Sequence, residues 1–276
     1  MKVRPRRSAL YLPASNQRAI AKARELPCDV IILDLEDAVA PEAKADARAQ
    51  AVAALGEGGF GTREVVVRIN GLDTEWGEAD LNALSQTPPA AVLVPKIVAA
   101  RDIADYRSKL GEAIPLWAMV ETAASLFRLD EIAGAEGLEA FVMGTNDLAK
   151  ETGARLGGER LPFVGALGLA VAAARAHGIT IFDGVFNDID DEQGFIAEAR
   201  QGADFGFDGK TLIHPRQIAP CNAAFSPDAA EIAWARRILA AFEEPENVSK
   251  GAIRVDGKMV ERLHLHRARS ALAAAG

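Results

Sequence analysis

Val30-Ile31-Ile32-Leu33-Asp34-Leu35-Glu36-Asp37-Ala38-Val39 opens with four apolar β-formers and closes with three carboxylates packed into four positions. A short apolar run bounded by Pro27 and Pro41 predicts a strand buried on both faces, as in a parallel sheet. Carboxylates that close together repel one another in a low dielectric, so water, a cation or neighbouring basic groups must offset them. The stretch alone supports two readings. One is a solvated strand-to-helix loop with acidic caps. The other is the acidic rim of a metal site at the carboxyl end of a parallel strand.

Outward from this stretch the same unit repeats. Apolar runs predict strands at 8–12, 64–69, 91–94, 116–120, 140–143 and 180–182, with an eighth starting at 204–207. Helices are predicted between them at 17–26, 42–55, 78–85, 101–110, 125–132, 162–176 and 190–200, with Pro41 suited to a first helical turn. Eight strand-then-helix units point to the α/β class and a closed (β/α)8 TIM barrel. The alternative is an open doubly wound sheet. Its dinucleotide-binding form wants a Gly-rich turn after the first strand, where this chain has Pro13-Ala14-Ser15. Two more helical stretches, 228–242 and 262–274, lie beyond the eight units. The expected division is a barrel catalytic domain at 1–225 and a C-terminal helical extension at 226–276, packed over the barrel or on a neighbouring subunit.

The net charge of −8 argues against a general nucleic-acid binder, while leaving room for a local basic pocket. Two cysteines, Cys28 and Cys221, do not make a disulfide framework, so a reducing cytoplasm is expected. The basic start, Lys2 to Arg7, is followed by an apolar run too short for a signal-peptide core and broken by Pro13. No apolar run approaches membrane-spanning length.

The predicted strand ends carry the charge: Asp34-Glu36-Asp37, Arg68 and Asn70, Lys96, Glu121, Asp147, Asp183, and Asp208 with Lys210. In a barrel they open onto one face, the face where active sites sit. Any one of them reads as a solvated loop charge; their repetition reads as an acidic cup holding a few cations. Glu121 and Asp147 suit Mg²⁺, which takes one or two carboxylates and completes its octahedron with water and substrate oxygens. Zinc would want His and Cys. His177 ends a helix, His264 and His266 lie in the tail, and His214 beside Pro215 reads as a structural hydrogen-bonding residue. Arg68 is a natural clamp for a substrate carboxylate, or an ion-pair partner of the surrounding acids. Lys96 has the chemistry of a Schiff-base lysine. Nearby carboxylates would raise its pKa, so it reads as an electrostatic support.

These stretches together resemble the CitE-like branch of the HpcH/HpaI aldolase and citrate lyase β-subunit superfamily. The resemblance is carried by Arg7-Ser8-Ala9-Leu10-Tyr11-Leu12-Pro13, Asp34-Leu35-Glu36-Asp37-Ala38-Val39, Arg68-Ile69-Asn70-Gly71, Pro95-Lys96, Glu121-Thr122, Gly144-Thr145-Asn146-Asp147-Leu148, and Gly206-Phe207-Asp208-Gly209-Lys210 with Ile213-His214-Pro215. It implies a (β/α)8 barrel, often trimeric, that binds Mg²⁺ and cleaves or forms C–C bonds in 3-hydroxyacyl-CoA thioesters such as malyl-, citramalyl- or citryl-CoA, with a 2-oxo acid as the second product. Carried over, Glu121 and Asp147 are metal ligands and Arg68 binds substrate. Glu36 and Asp37 hold metal-bound waters, and Tyr11, Arg18 and Lys22 lie where relatives contact the coenzyme A arm. Two departures stand out. Ala14 replaces the usual Gly after Pro13. The tail reads Met259-Val260-Glu261-Arg262-Leu263, where many relatives have Met, Val or Ile, then Asp and shortly Pro. In relatives that Asp reaches a neighbour's active site. Glu261, one methylene longer, is therefore one of two candidate acid/base groups, the other being a metal-bound water held by Asp37. The change equally fits a different substrate or the loss of one activity, for example thioester hydrolysis.

The expected reaction is therefore a Mg²⁺-dependent retro-Claisen or aldol-type cleavage. The alternatives are a thioesterase on such a CoA ester, an aldolase acting on free 2-oxo acids, and a non-catalytic barrel subunit. Nucleic acid and membrane are excluded as partners, and a homo-oligomer, most simply a trimer, is expected.

Overall fold

The computed structural model of the chain describes residues 4–275. The chain divides into two compact units, Arg6–Asn222 and residues 223–275 together with 4–5. The first is a closed parallel barrel of β1 (Ser8–Pro13), β2 (Val30–Asp34), β3 (Glu64–Arg68), β4 (Ala91–Val94), β5 (Leu116–Val120), β6 (Leu138–Met143), β7 (Thr180–Asp183) and β8 (Gly209–Leu212). The last strand pairs with the first, Ser8 opposite Lys210, which closes the ring.

The pleat decides what each strand offers to the interior. Successive side chains alternate faces, so every second residue points into the barrel. Val30 and Ile32, Ala91 and Leu93, Trp117 and Met119, and Ala140 and Val142 supply the inner core with Ala9, Val66 and Phe182. Trp117 stacks on Phe182, with ring centroids 5.0 Å apart. Extending each inner row by two residues toward the carboxyl end reaches Asp34 on β2, Arg68 on β3, Glu121 beyond β5 and Gly144 beyond β6. Tyr11 on β1 continues the row of Ala9. The inner rows therefore end in polar groups at one mouth of the barrel.

The eighth strand differs from the sequence expectation. Residues 204–205 finish the helix Glu192–Phe205, which Gly206 caps in the left-handed region at φ 96°, and the strand begins only at Gly209. Asp208 therefore lies at the amino end of β8, away from the mouth, and pairs with Arg175 at 2.8 Å. Residues 125–132, expected as one helix, form two short ones, Ala123–Leu126 and Leu129–Ala133. Thr122 caps the first by accepting a hydrogen bond from the Ser125 N–H at 3.1 Å. Pro41 opens a 3₁₀ turn, Pro41–Ala43, ahead of the helix Lys44–Glu57.

The second unit holds the helices Ala229–Glu243 and Leu263–Ala275 and an antiparallel hairpin of β9 (Ala252–Val255) and β10 (Lys258–Glu261). Its core includes Ile238, Phe242, Ile253, Val255, Val260 and Leu265. The hairpin was not expected from the sequence. Its turn is Asp256-Gly257, both at positive φ (47° and 83°), as a two-residue type I′ turn requires. Among the described residues, no helix is long and apolar enough to cross a membrane.

Candidate active site

β2 and β3 pair in register with Asp34 opposite Arg68, which brings the acid and the base together by topology alone. Asp34 takes the guanidinium side-on, at 2.7 Å from Nε and 2.6 Å from Nη2. Its oxygens also accept the backbone N–H groups of Glu36 and Ala38 at 3.0 and 3.1 Å, which folds the acidic stretch into a tight turn. Lys44, itself buried, donates to the carbonyls of Leu35 and Glu36 at 2.7 and 2.6 Å and fixes the turn from behind. Both readings of Arg68 therefore meet in one residue. Three of the five guanidinium N–H groups hydrogen-bond to Asp34 and Asp37, and the second N–H of Nη2 is left for a ligand. Its Nη1 also lies 2.8 Å from a Glu36 carboxylate oxygen. The guanidinium stands over the Tyr11 ring at 5.0 Å, and the phenol donates to Met119 Sδ at 3.4 Å.

Glu121 is 1 % exposed, and Gly144 explains how it fits: a Cβ there would lie 2.4 Å from the Glu121 Cβ. Its Oε1 accepts the backbone N–H of Lys96 at 2.7 Å. Lys96 reaches that position in the left-handed region, at φ 53°, uncommon for a residue with a Cβ. Asp147, expected at a strand end, is the third residue of the helix Thr145–Thr152. Among the described residues neither Glu121 Oε2 nor the Asp147 carboxylate accepts a hydrogen bond. Tyr11, Asp37, Arg68, Glu121 and Asp147 line one cavity of about 300 Å³. Glu36 is buried behind Arg68, whereas the Asp37 side chain is 61 % exposed. Nearby Asn70 is structural: it donates to the Leu35 carbonyl and to Asp80, which is held in turn by Arg48.

The electrostatics follow from acids outnumbering bases in a desolvated cup. Burial pushes Glu121 from its ordinary 4.5 up to about 7, against the Lys96 N–H and Arg68, which favour the charged form. Burial pushes Glu36 up to about 8, opposed by Arg68 and reinforced by Asp37 and Glu121. Burial also raises the Tyr11 phenol. Desolvation would lower Lys96, but Glu36, Asp37, Glu121 and Asp147 outweigh it, so its pKa rises. A raised pKa keeps Lys96 protonated and unsuited to Schiff-base chemistry, the role of support expected for it.

The donor set fits a hard divalent ion. It is oxygen only, it includes two carboxylates with unused oxygens, and the excess of acid favours a cation. Among the described residues, no group of three or more His, Cys, Asp and Glu side chains forms a closed metal cage. Two carboxylates with water and substrate oxygens is the coordination typical of Mg²⁺.

Other expected site residues lie elsewhere. Asp183 and Lys210, counted with the cup, are one residue out of phase with the inner rows and face the helix layer. Both are fully buried, and they join Arg160 and Glu198 in a closed ion network. Arg18 and Lys22 are exposed on the helix Gln17–Ala23 that follows β1. Glu261 ends β10 in the second unit, where its backbone N–H donates to His264 Nδ1 at 2.9 Å. His214 is structural as expected, accepting the Arg216 N–H at 3.2 Å. Sequence reasoning quoted Gly144 and Lys96 but missed what their backbones do. Lys44 was missed altogether.

The chain resembles known proteins along nearly its whole length. A family model described as HpcH/HpaI aldolase/citrate lyase matches residues 7–215, and one described as C-C bond lyase of the TIM-barrel fold matches residues 166–275. The chain is 51 % identical over 271 residues to a (3S)-malyl-CoA thioesterase of Cereibacter sphaeroides, covering 98 % of this chain and 95 % of that protein. It is 33 % identical to the citrate lyase subunit beta of Escherichia coli, covering 99 % and 94 %. The structure of CitE from Mycobacterium tuberculosis in complex with magnesium, acetoacetate and coenzyme A superposes with a TM-score of 0.85 at 32 % identity, over 100 % of both chains.

Proposed function

Because the chain belongs to the HpcH/HpaI aldolase/citrate lyase family, we propose that it is a Mg²⁺-dependent enzyme that hydrolyses the CoA thioester of a 3-hydroxy dicarboxylic acid of the malyl-CoA kind. The observation that carries the proposal is the acid surplus of the barrel mouth. Two carboxylates with unused oxygens, Glu121 and Asp147, line one cavity with Arg68. The Mg²⁺ is supported by the magnesium-bound CitE structure, and thioester hydrolysis by the near full-length likeness to a malyl-CoA thioesterase.

Glu121 and Asp147 would hold the ion, which when bound polarises substrate oxygens as a Lewis acid. Arg68 offers its remaining Nη2 N–H to the free carboxylate of the acyl group. Asp34 and Glu36 fix the guanidinium plane. Asp37, at the open rim, is placed to orient a water. In the hydrolysis, the water oxygen bonds to the thioester carbonyl carbon and the C–S bond breaks. The water's proton ends on the leaving sulfur, giving the free acid and the CoA thiol. Arg18 and Lys22 are assigned to the phosphates of the CoA arm, with Tyr11 beneath Arg68. A homotrimer, in which the C-terminal extension brings Glu261 to a neighbouring copy as acid/base group, completes this reading. Light scattering that gave the mass of a single chain would remove it.

The C–C lyase reading is favoured by the second family match and by citrate lyase. There the 3-hydroxyl loses its proton and the bond between its carbon and the neighbouring carbon breaks. The electron pair stays on the acyl-CoA carbon, which is then protonated. The two reactions differ in products, so an assay of malyl-CoA with Mg²⁺ that follows free thiol and 2-oxo acid separately distinguishes them. Thiol without oxo acid, lost in Glu121→Ala, is the expected result. Oxo acid without thiol would overturn hydrolysis in favour of the lyase. Neither signal would overturn CoA esters and move the substrate to free hydroxy-oxo acids.

A further inference from the structure

The Asp147 carboxylate accepts no hydrogen bond among the described residues, so its position is set by the helix Thr145–Thr152 that carries it. The residue before it is held from outside that helix. Asn146 Nδ2 donates to Asn187 Oδ1 at 3.1 Å, and Asn187 Nδ2 donates back to Asn146 Oδ1 at 2.8 Å. This is a closed amide pair between the segments that follow β6 and β7. The β7 segment is itself pinned. The Gly184 N–H donates to Asp183 Oδ1 at 2.8 Å, Lys210 Nζ donates to the Gly184 carbonyl, and Gln217 Nε2 donates to the Phe186 carbonyl at 3.1 Å. The two segments also touch: a Cβ on Gly184 would lie 2.6 Å from Thr145 Oγ1.

The pair lies where two hollows meet. Asn146 lines the 300 Å³ cavity and Asn187 lines a larger cleft of about 840 Å³, while Thr145 and Val185 line both. The larger cleft holds neither Glu121 nor Asp147, so it is not the centre of the chemistry.

We propose that Asn187 is a positioning residue for the cation site: through Asn146 it fixes Asp147 relative to Glu121, and the ion network around Asp183 is the footing of that bracket. This rests on the reading of Glu121 and Asp147 as metal ligands. Partners that orient metal ligands typically change metal affinity by about 10–100-fold. Solvent-exposed amide bonds add little to global stability. The bracket should therefore show in metal affinity and hardly at all in unfolding.

The test is calorimetric titration of the full chain with Mg²⁺ alone, beside a thermal unfolding curve of the metal-free protein. Asn187→Ala should weaken Mg²⁺ binding by about tenfold with an unchanged unfolding midpoint. Asn146→Ala should do the same, and the double variant should bind no more weakly than either single, since both break one interaction. Unchanged affinity in Asn187→Ala, or losses that multiply in the double variant, would overturn the bracket. Asp147→Ala separates the two levels. If it loses Mg²⁺ while Asn187→Ala does not, only the bracket fails. If it keeps wild-type affinity, the metal reading and the bracket fail together.

Discussion

Two clusters of charge lie at strand ends of the same barrel, and they do opposite things. At or beyond the carboxyl ends of β2 to β6, five acids (Asp34, Glu36, Asp37, Glu121 and Asp147) face two bases, Arg68 and Lys96. Around β7 and β8, two acids, Asp183 and Glu198, face two bases, Arg160 and Lys210. The pleat separates them. Asp34 and Glu121 continue inner rows and open into the mouth; Asp183 and Lys210 are out of phase by one residue and point into the helix layer. The balanced cluster holds structure: Asp183 has its pKa lowered because Lys210 and Arg160 outweigh the cost of burial. The unbalanced one keeps its charge problem, with Glu121 and Glu36 pushed up, which a divalent cation, as proposed, would resolve.

The sharpest way to break this contrast is Glu121→Ala. Activity should fall by ~10⁴-fold or more, about 5 kcal/mol of transition-state stabilisation, because an ion ligand and its Lewis acidity go together. At pH 8 the unfolding midpoint of the metal-free variant should not fall, since a charged carboxylate that burial disfavours is removed. Lys210→Met is the reciprocal experiment in the balanced cluster. It leaves buried acid under-compensated and should lower stability by about 3–5 kcal/mol in urea unfolding. Similar unfolding curves for the two variants would erase the distinction between the clusters.

Next in size is a dependence on pH. The folded pKa values of Glu121 and Glu36, about 7 and about 8, stand above their ordinary 4.5. Stability from these groups is thus fully present below about pH 4.5 and is lost as pH rises through 7 and 8 in the metal-free protein. Mg²⁺ competes with the proton on Glu121, so its affinity runs the other way. From pH 8.5 to 5.5, Mg²⁺ binding should weaken about thirtyfold, read as a smaller thermal shift at the lower pH. An equal shift at both would sink the burial argument. The smallest effect is expected for Lys96→Ala, a loss of kcat/KM within about threefold. The Lys96 side chain is more than half exposed and 3.8 Å from Glu36, and Glu121 is held by the backbone N–H, which alanine keeps.

Much of this was legible in the sequence, for physical reasons. Val30 to Leu33, Ala91 to Val94 and Leu116 to Val120 are uninterrupted apolar runs, which is how a strand covered on both faces must read. With those strands fixed, Arg68, Glu121 and Asp147 fall at the mouth. The eighth strand was misplaced because Gly209-Lys210-Thr211-Leu212 has two polar residues of four, while Asp204 to Phe207 looks more strand-like but completes a helix. Counting Asp183 and Lys210 in the cup ignored the pleat, which was available: both are offset by one from the inner row of Phe182 and Thr211. The β9–β10 hairpin had its signal too, Asp256-Gly257 between alternating apolar residues. What no pattern carries is backbone chemistry. The Lys96 N–H on Glu121 and the missing Cβ of Gly144 depend on approaches that only the folded chain makes.

The most direct test of the acid surplus as a cation site is equilibrium dialysis of the intact protein against Mg²⁺ at pH 8, wild type beside Glu121→Gln, which removes the charge and keeps the shape. One ion bound per chain in the wild type and none in the variant is the expected result. Saturable binding that survives in Glu121→Gln, or no saturable binding in the wild type, would contradict it.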